Sequence, residues 1–81
     1  MQVKILYFAV FADLMHCREA ELILPEGSTV EDAFQEVFAQ NPVALSLREQ
    51  TVFAVEDEYV AADTVLKEGQ EIVFLPPVSG G

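Results

Sequence analysis

The sequence predicts an α+β domain, with a mixed sheet of four to five strands and one main helix over residues 28–40. Two observations predict it. A capped amphipathic helix lies in the middle of the chain, and short apolar, β-rich segments lie on both sides of it. The 81 residues suffice for one domain, and the 52% hydrophobic content is typical of a globular protein.

Two strands are predicted before the helix. Residues 3–10 are apolar at both alternating positions, which is typical of a central strand covered on both faces. Residues 12–17 are predicted to form a short helical turn. Residues 19–24 mostly alternate between polar and apolar side chains, and Pro25 and Gly27 then end that strand. Together the two strands are predicted to form a hairpin.

The main helix carries the clearest signal in the chain. Ser28, followed three residues later by Glu31, is a capping box that satisfies free N–H groups at a helix start. Pro42 disfavours helical geometry at the residue before it, so the helix is expected to end near Gln40. One apolar stripe follows at helical spacing: Val30, Ala33, Phe34, Val37 and Phe38.

Three further strands are predicted after the helix. Residues 51–55 and 59–61 are short strands joined by an acidic turn, and residues 71–75 form the last strand. Pro76 ends it, because proline cannot donate to the ladder. Compact packing with a right-handed crossover favours a last strand parallel to the first, in the middle of the sheet. This arrangement is a ubiquitin-like β-grasp.

The charge balance is strongly acidic. The chain has 14 Asp and Glu against 4 Lys and Arg, for a net charge of −10. Phosphate backbones and anionic membranes would be repelled, so neither nucleic acid nor a membrane is expected as a partner. The acidic surface is consistent with two interpretations: it keeps the protein soluble, or it steers the protein toward a basic partner protein.

The sequence does not predict a catalytic or metal site that is built from this chain alone. Cys17 is the single cysteine, which excludes an internal disulfide, and no apolar stretch reaches the roughly 20 residues of a membrane span. A cytoplasmic protein without a secretion signal is therefore expected. His16 and Cys17 lack a further cysteine or histidine to complete a metal site, and are interpreted as a surface histidine beside a buried thiol. The acidic run 56–58 is interpreted as a solvated turn.

The C-terminal tail is the distinctive feature. Residues 1–75 are predicted to form the domain, and residues 76–81 (PPVSGG) a flexible tail. Six extended residues reach roughly 20 Å, and prolines at the base keep that reach stiff. Gly80 and Gly81 have no Cβ, so the chain end can pass a narrow channel. A terminal Gly-Gly by itself is also compatible with a frayed end.

The chain resembles the family of small, sulfur-carrying subunits of molybdopterin synthase. The end FLPPVSGG, the start VKILYFAVFADL and the SxxE signal at residues 28–31 carry the resemblance, which covers essentially the whole chain. PPVSGG is its specific part. One departure is Glu56, where much of the family is expected to have an asparagine, and it bears on the local turn.

The resemblance implies a β-grasp fold and a carrier instead of an independent enzyme. An adenylyltransferase would use ATP to activate the carboxylate of Gly81, and a sulfurtransferase system would convert it to a thiocarboxylate. Gly81 would then donate sulfur to cyclic pyranopterin monophosphate within the large synthase subunit, with a heterotetramer expected. No bound cofactor or metal is implied. Gly80 and the tail residues Pro76, Pro77, Val78 and Ser79 are the expected contacts with partners.

A docking surface is predicted from strand phase. If alternate residues of the first and last strands face the helix, then Phe8 and Leu75 face outward with Leu6 and Val73, and Tyr59 flanks them. An outward apolar patch on a sheet is typical of a protein interface. The alternative is that residues 40–50 cover these side chains as part of the core.

Three other functions remain open at this point. A sulfur carrier of the thiamine pathway would use the same chemistry with a different acceptor. A ubiquitin-like modifier would instead end in an isopeptide bond to a lysine. A plain interaction domain would have an inert tail. The state of the chain end in cells, as thiocarboxylate, carboxylate or conjugate, would distinguish them.

Overall fold

The computed structural model of the chain describes residues 1–77. Within this range it contains five strands, three α-helices and one turn of 3₁₀ helix. None of these helices is long and apolar enough to cross a membrane. In chain order the elements are β1 (Gln2–Tyr7), α1 (Val10–Met15), β2 (Glu19–Ile23), α2 (Val30–Val37), α3 (Pro42–Ser46), the 3₁₀ helix (Arg48–Gln50), β3 (Val52–Val55), β4 (Glu58–Val60) and β5 (Glu71–Leu75).

The strands form one mixed sheet in the order β2-β1-β5-β3-β4. β1 and β5 are parallel neighbours, with Ile5 opposite Ile72, and the other neighbouring strands are antiparallel. The hairpin of β1 and β2 and the central position of β5 are as predicted. The ubiquitin-like β-grasp is therefore confirmed.

The core lies between the sheet and α2. Alternate residues of β1 and β5 point to this side, and Ile5, Ile72 and Phe74 are fully buried there. Aromatic rings join the layers, with centroid separations between 4.9 and 6.5 Å. This range favours offset and edge-to-face pairs. The rings belong to Tyr7, Phe11, Phe34, Phe38, Phe53 and Phe74.

The main helix is shorter than the predicted 28–40, and its cap lies one residue later. The capping box uses Thr29 and Asp32: the Asp32 N–H donates to the Thr29 hydroxyl, and the Thr29 N–H donates to the Asp32 carboxylate. Ser28 is engaged elsewhere, because its hydroxyl donates to the Pro25 carbonyl at 2.8 Å and its own carbonyl accepts from Leu66. The predicted capping box of Ser28 and Glu31 is therefore wrong.

The segment after α2 contains a helix that the sequence analysis did not predict. Asn41 caps α3 by accepting a hydrogen bond from the Ala44 N–H at 3.2 Å, and Pro42 occupies the first helical position. Both residues are favoured there, since proline needs no hydrogen-bond partner in a first turn. Pro42 therefore begins a helix where it was interpreted only as the end of one.

The first strand ends earlier than predicted. It stops at Tyr7, because Ala9 adopts a positive φ of 49° and the Phe11 N–H donates to the Phe8 carbonyl at 3.0 Å. This tight turn starts α1 at Val10, so the predicted helical turn at 12–17 begins and ends two residues sooner.

Candidate functional site

β5 carries the base of the C-terminal tail out of the middle of the sheet. Its last residue, Leu75, lies opposite Val52 of β3, and Pro76 and Pro77 follow it half-buried. Four predicted site residues, namely Val78, Ser79, Gly80 and Gly81, lie outside the described residues. Their roles remain predictions.

The sheet face opposite α2 carries an apolar surface, called here the open-face patch. Directly opposed residues of neighbouring strands share a face, and Val73 of β5 opposes Leu6 on one side and Ala54 on the other. Phe8, which follows β1, is 48% exposed, and Tyr59 is 77% exposed. The predicted alternation of faces is confirmed. The patch comprises Leu6, Phe8, Val52, Ala54, Tyr59, Val73 and Leu75.

A groove of about 450 Å³ lies at the base of the tail. It brings together four predicted site residues, Tyr59, Leu75, Pro76 and Pro77. Val52 also lines it, and the sequence analysis did not single this residue out. The sequence did contain a signal for Val52, because it alternates with Phe53 along β3. Phe53 is buried, so Val52 points to the open face. Gln50 completes the lining, and no sequence signal indicated it.

Phe8 lies apart from that groove. It lines a second groove of about 510 Å³ at the end of β1, with Leu6 and Ala12. Leu6 lies opposite Val73, so this groove adjoins β5 on the β1 side, whereas the tail groove adjoins it on the β3 side. The five described site residues thus lie on both sides of β5 on one apolar face.

Residues 40–50 leave the open-face patch largely uncovered, and of this segment Gln50 lines the tail groove. The Arg48 guanidinium carbon lies 4.8 Å from the centre of the Phe53 ring, on the buried α2 side of β3. Arg48 also forms an ion pair and a hydrogen bond with Glu31 of α2. That hydrogen bond lowers the pKa of Glu31, and its effect outweighs the burial of the carboxyl, which raises the pKa. The alternative in which this segment covers the outward side chains is wrong.

Charge divides the open face into two halves. The Lys4 Nζ atom lies 3.3 Å from a carboxylate oxygen of Glu19, and Lys4 is also opposite Glu71 and Glu21 on its neighbouring strands. Lys4, Glu21 and Glu71 lie where β5 begins, and Glu19 lies opposite Leu6 on the edge strand, whereas most of the apolar residues lie toward the end of β5. The tail therefore leaves the sheet at its apolar half.

The described residues contain no candidate metal centre. Within residues 1–77, no group of three or more His, Cys, Asp or Glu side chains could hold a metal ion.

His16 is exposed, as expected, but Cys17 is also exposed. The prediction of a buried thiol is wrong, because α1 ends at Met15 and the turn to β2 brings Cys17 to the surface. The run Glu56, Asp57 and Glu58 is fully on the surface, as expected of a solvated turn.

The relatives found by comparison with known sequences agree with one another. The model of the ThiS family matches residues 5–81. The molybdopterin synthase sulfur carrier subunit of Chlamydomonas reinhardtii is 36% identical over the full length of both chains. That of Homo sapiens is 35% identical, covering 99% of this chain and 94% of the human one.

Solved structures agree with the fold and with these relatives. SAMP1 from Haloferax volcanii superposes with a TM-score of 0.84 at 24% identity, over all of both chains. A chain in a complex of subunits 1 and 2 of Helicobacter pylori molybdopterin-converting factor has a TM-score of 0.67 at 20% identity, again over both full chains. A Pyrococcus furiosus protein assigned as molybdopterin converting factor subunit 1 is 32% identical, with a TM-score of 0.77 over 96% of this chain and 99% of that one. The chain therefore belongs to the ThiS family and, within it, to the molybdopterin synthase sulfur carrier subunits.

Proposed function

We propose that the chain carries sulfur for molybdopterin synthesis as a thiocarboxylate on its C-terminal Gly81. The observation that carries the proposal is where the tail begins. β5 is a central strand that ends at the apolar half of the open face, and Pro76 and Pro77 lie in a groove there. A partner bound to this face would meet the tail at its base. The sheet thus fixes the position of Pro77. Four extended residues, 78–81, would reach roughly 13 Å beyond it.

The proposed cycle uses the chain end as an acyl group. An oxygen of the Gly81 carboxylate attacks the α-phosphate of ATP within an adenylyltransferase, and pyrophosphate leaves. A hydrosulfide-level nucleophile supplied by a sulfurtransferase then displaces AMP, which leaves a thiocarboxylate. Its sulfur attacks a carbon of the pterin precursor and displaces the oxygen substituent on that carbon. Water then breaks the acyl–sulfur bond, which leaves the sulfur on the pterin and restores the Gly81 carboxylate. Glycine suits this position, because a Cβ at Gly80 or Gly81 would crowd a narrow channel.

The precursor in this proposal is cyclic pyranopterin monophosphate, held by the large synthase subunit. Acidic residues outnumber basic ones by 14 to 4, so the chain itself is a poor host for a phosphate. The open-face patch offers the apolar anchor that a partner interface needs, with Phe8 and Tyr59 as exposed aromatic side chains. The two-subunit Helicobacter pylori complex supports such a partner. We further propose that two chains join two large subunits, and that only this assembly acts as a sulfurtransferase.

Removing Gly81 is expected to abolish sulfur transfer without loss of fold or partner affinity. Folding and docking are expected to rest mainly on the apolar sheet and the helix, which end at Leu75, whereas the chemistry depends on where the terminal carboxylate lies. Deletion moves that carboxylate by about 3.8 Å, and a shift of about 1 Å can already cost on the order of a hundredfold in rate. The assay is dithiolene formation on the pterin with large subunit, adenylyltransferase, ATP and a sulfur source.

Matched variants separate position from chemistry. One residue added after Gly81 locks its carbonyl in an amide, so activity should be lost, whereas Gly81→Ala should retain a reduced rate. Intact mass should show one oxygen exchanged for sulfur in the wild-type chain and in part of the Gly81→Ala chain, but not in the shortened or the extended chain. Wild-type turnover by the chain lacking Gly81 would refute the carrier function. Transfer to a thiazole precursor, or a conjugate to a lysine, would instead indicate a thiamine-pathway carrier or a protein modifier.

A further inference from the structure

The edge strand β2 presents unpaired backbone groups along one side. In the sheet it has only β1 as a neighbour. Met1 and Leu24 exchange two backbone hydrogen bonds of 2.7 and 2.8 Å, and hydrogen-bonded pairs recur at every second residue of an antiparallel ladder. The N–H and C=O groups of Ala20 and Leu22 therefore point to β1. Those of the alternate residues point to the free edge: Glu19, Glu21 and Ile23.

A groove runs along this edge on the α2 side. It has a volume of about 350 Å³, within the range of ligand-binding clefts. Half-buried apolar side chains line it: Met15 from α1, Ala20 and Leu22 from β2, and Val37 from α2. A strand added beside β2 would direct every second side chain over this groove. Aliphatic side chains would fit there.

The other side of the same edge is acidic. Glu19 and Glu21 point to the open face of the sheet, where both are exposed; Glu19 also pairs with Lys4, and Glu21 accepts a hydrogen bond from Gln2. The remaining side chains of an added strand would lie opposite Glu19 and Glu21, where directly opposed opposite charges are favourable. Lysine or arginine is thus the matching residue type. The two sides of β2 together specify a segment that alternates between aliphatic and basic residues.

We propose that the β2 edge binds an extended segment of a partner protein by strand addition, and that this segment alternates aliphatic and basic side chains. Backbone hydrogen bonds would give affinity and the two faces would give selectivity, as in other cases of strand addition. A second copy of this chain fits poorly, because pairing β2 with β2 would oppose acidic side chains. The site lies two strands away from the tail groove, so the proposal stands independently of sulfur transfer.

The probe is an acetylated, amidated heptapeptide that alternates lysine and valine, titrated into the ¹⁵N-labelled full chain. Hydrogen exchange of the Glu21 and Ile23 amides should slow on binding, whereas the Ala20 and Leu22 amides, already bonded to β1, should not change. A peptide with glutamate in place of lysine should not bind. A peptide methylated at alternate backbone nitrogens should bind at least roughly tenfold more weakly, since it lacks the donors for the edge.

Substitutions in the protein, with the peptide unchanged, test the same site. Glu21→Pro removes an outward N–H without removing a bond to β1, and proline is tolerated at such edge positions, so binding should fall roughly tenfold. Glu21→Gln should weaken binding a few-fold, and the matched change Glu58→Gln on the opposite edge strand β4 should not.

Three results would overturn the proposal. The first is a set of peptide-induced amide chemical-shift changes that centres on Val52 and Tyr59 and not on β2. The second is equal affinity for the methylated peptide, which does not depend on whether Glu21→Pro folds. The third is slowed exchange at Glu21 that depends on protein concentration alone, which would identify a second copy as the occupant.

Discussion

The turn between β3 and β4 places two non-glycine residues in the left-handed region, with φ of 49° at Glu56 and 69° at Asp57. A two-residue hairpin connection with both φ values positive is typical of a type I′ turn, which favours Asn-Gly. The Glu71 N–H donates to the Glu56 carboxylate at 3.2 Å, so this side chain joins the turn to β5. The departure from asparagine at Glu56 therefore retains a polar anchor at that position.

We expect Asp57→Gly to raise the free energy of unfolding by about 0.5–1 kcal/mol. Glycine adopts a positive φ without steric cost, and this gain outweighs the entropy that it adds to the unfolded chain. Urea unfolding followed by circular dichroism measures the change. Asp57→Ala is the control, since it removes the same carboxylate but keeps a Cβ, and it should not stabilise. A loss of stability in the glycine variant would contradict the turn geometry.

The Glu31–Arg48 pair is a second residue-scale contact, and its contribution should depend on pH. The lowered pKa of Glu31 means that the folded state favours the ionised carboxyl, whose ordinary value is 4.5. Its contribution to stability is therefore present above pH 4.5 and is lost as the pH falls through the lowered pKa. Glu31→Gln should cost less than about 1 kcal/mol at neutral pH, because the pair is partly exposed.

The measurement is urea unfolding of wild type and Glu31→Gln between pH 7 and pH 3. The stability difference should stay constant above pH 5 and shrink below 4.5. Arg48→Met keeps much of the packing on Phe53 but removes the charge, so in that background the pH-dependent part should disappear. An unchanged difference down to pH 3 would show that the pair does not lower the pKa.

At the scale of elements, the open face of β1, β3 and β5 should act as one docking surface. Phe8→Glu replaces an aromatic side chain, half-exposed in the free chain, with a charged one. Loss of a central aromatic anchor commonly costs about 2 kcal/mol or more, which corresponds to roughly 30-fold weaker binding of the large subunit. Isothermal titration calorimetry with the purified large subunit measures the affinity.

Val43→Glu is the matched control for that substitution. Val43 is exposed on α3, a helix that packs on the other side of the sheet, so its substitution should leave the affinity unchanged. Circular dichroism should show both variants folded. Unfolding of the Phe8→Glu variant would place Phe8 in the core, and equal effects of the two variants would indicate a general charge effect.

At the scale of the whole molecule, an aromatic cluster holds the elements together. Phe34 of α2 contacts rings from α1, β3 and β5 and is fully buried. Phe34→Ala should cost about 3–5 kcal/mol, the range for buried phenylalanine truncations. Small domains have roughly 5–10 kcal/mol of stability in total, so this variant should be largely unfolded near 45 °C.

Phe8→Ala is the comparison for the core substitution, because it removes the same side chain from the open face. Its expected cost is below about 1 kcal/mol, in keeping with a surface position. Thermal and urea unfolding of both variants test the pair. Similar costs would mean that the open face contributes to the fold as much as the aromatic core does.

Local patterns predicted the elements whose bounds are marked by residues within them or directly beside them. β5 was predicted with its observed bounds, because alternation inside it and proline after it are both local signals. The apolar stripe of α2 was also predicted, and four of its five residues, Val30, Ala33, Phe34 and Phe38, are buried. The parallel pairing of β1 with β5 followed from general rules of connection, since few arrangements of these elements are compact.

Other features depend on contacts between residues far apart in the chain. Ser28 has the right chemistry for a helix cap, but Leu66 pairs with its carbonyl and moves the cap to Thr29. The side of the sheet on which residues 40–50 pack depends on Arg48 reaching Glu31 and Phe53. Hydrophobic periodicity assigns a residue to a face, and it does not show which other segment covers that face.

The sequence by itself determined the fold class, the phase of each strand and the Gly-Gly end, because periodicity, turn residues and chain order are properties of the chain alone. Tertiary structure decided that α3 and the 3₁₀ helix pack on the α2 side, that the open-face patch stays uncovered, and that β2 remains an edge. The physical reason is that burial is a competition between segments for the same apolar surface. Its outcome depends on their positions in space.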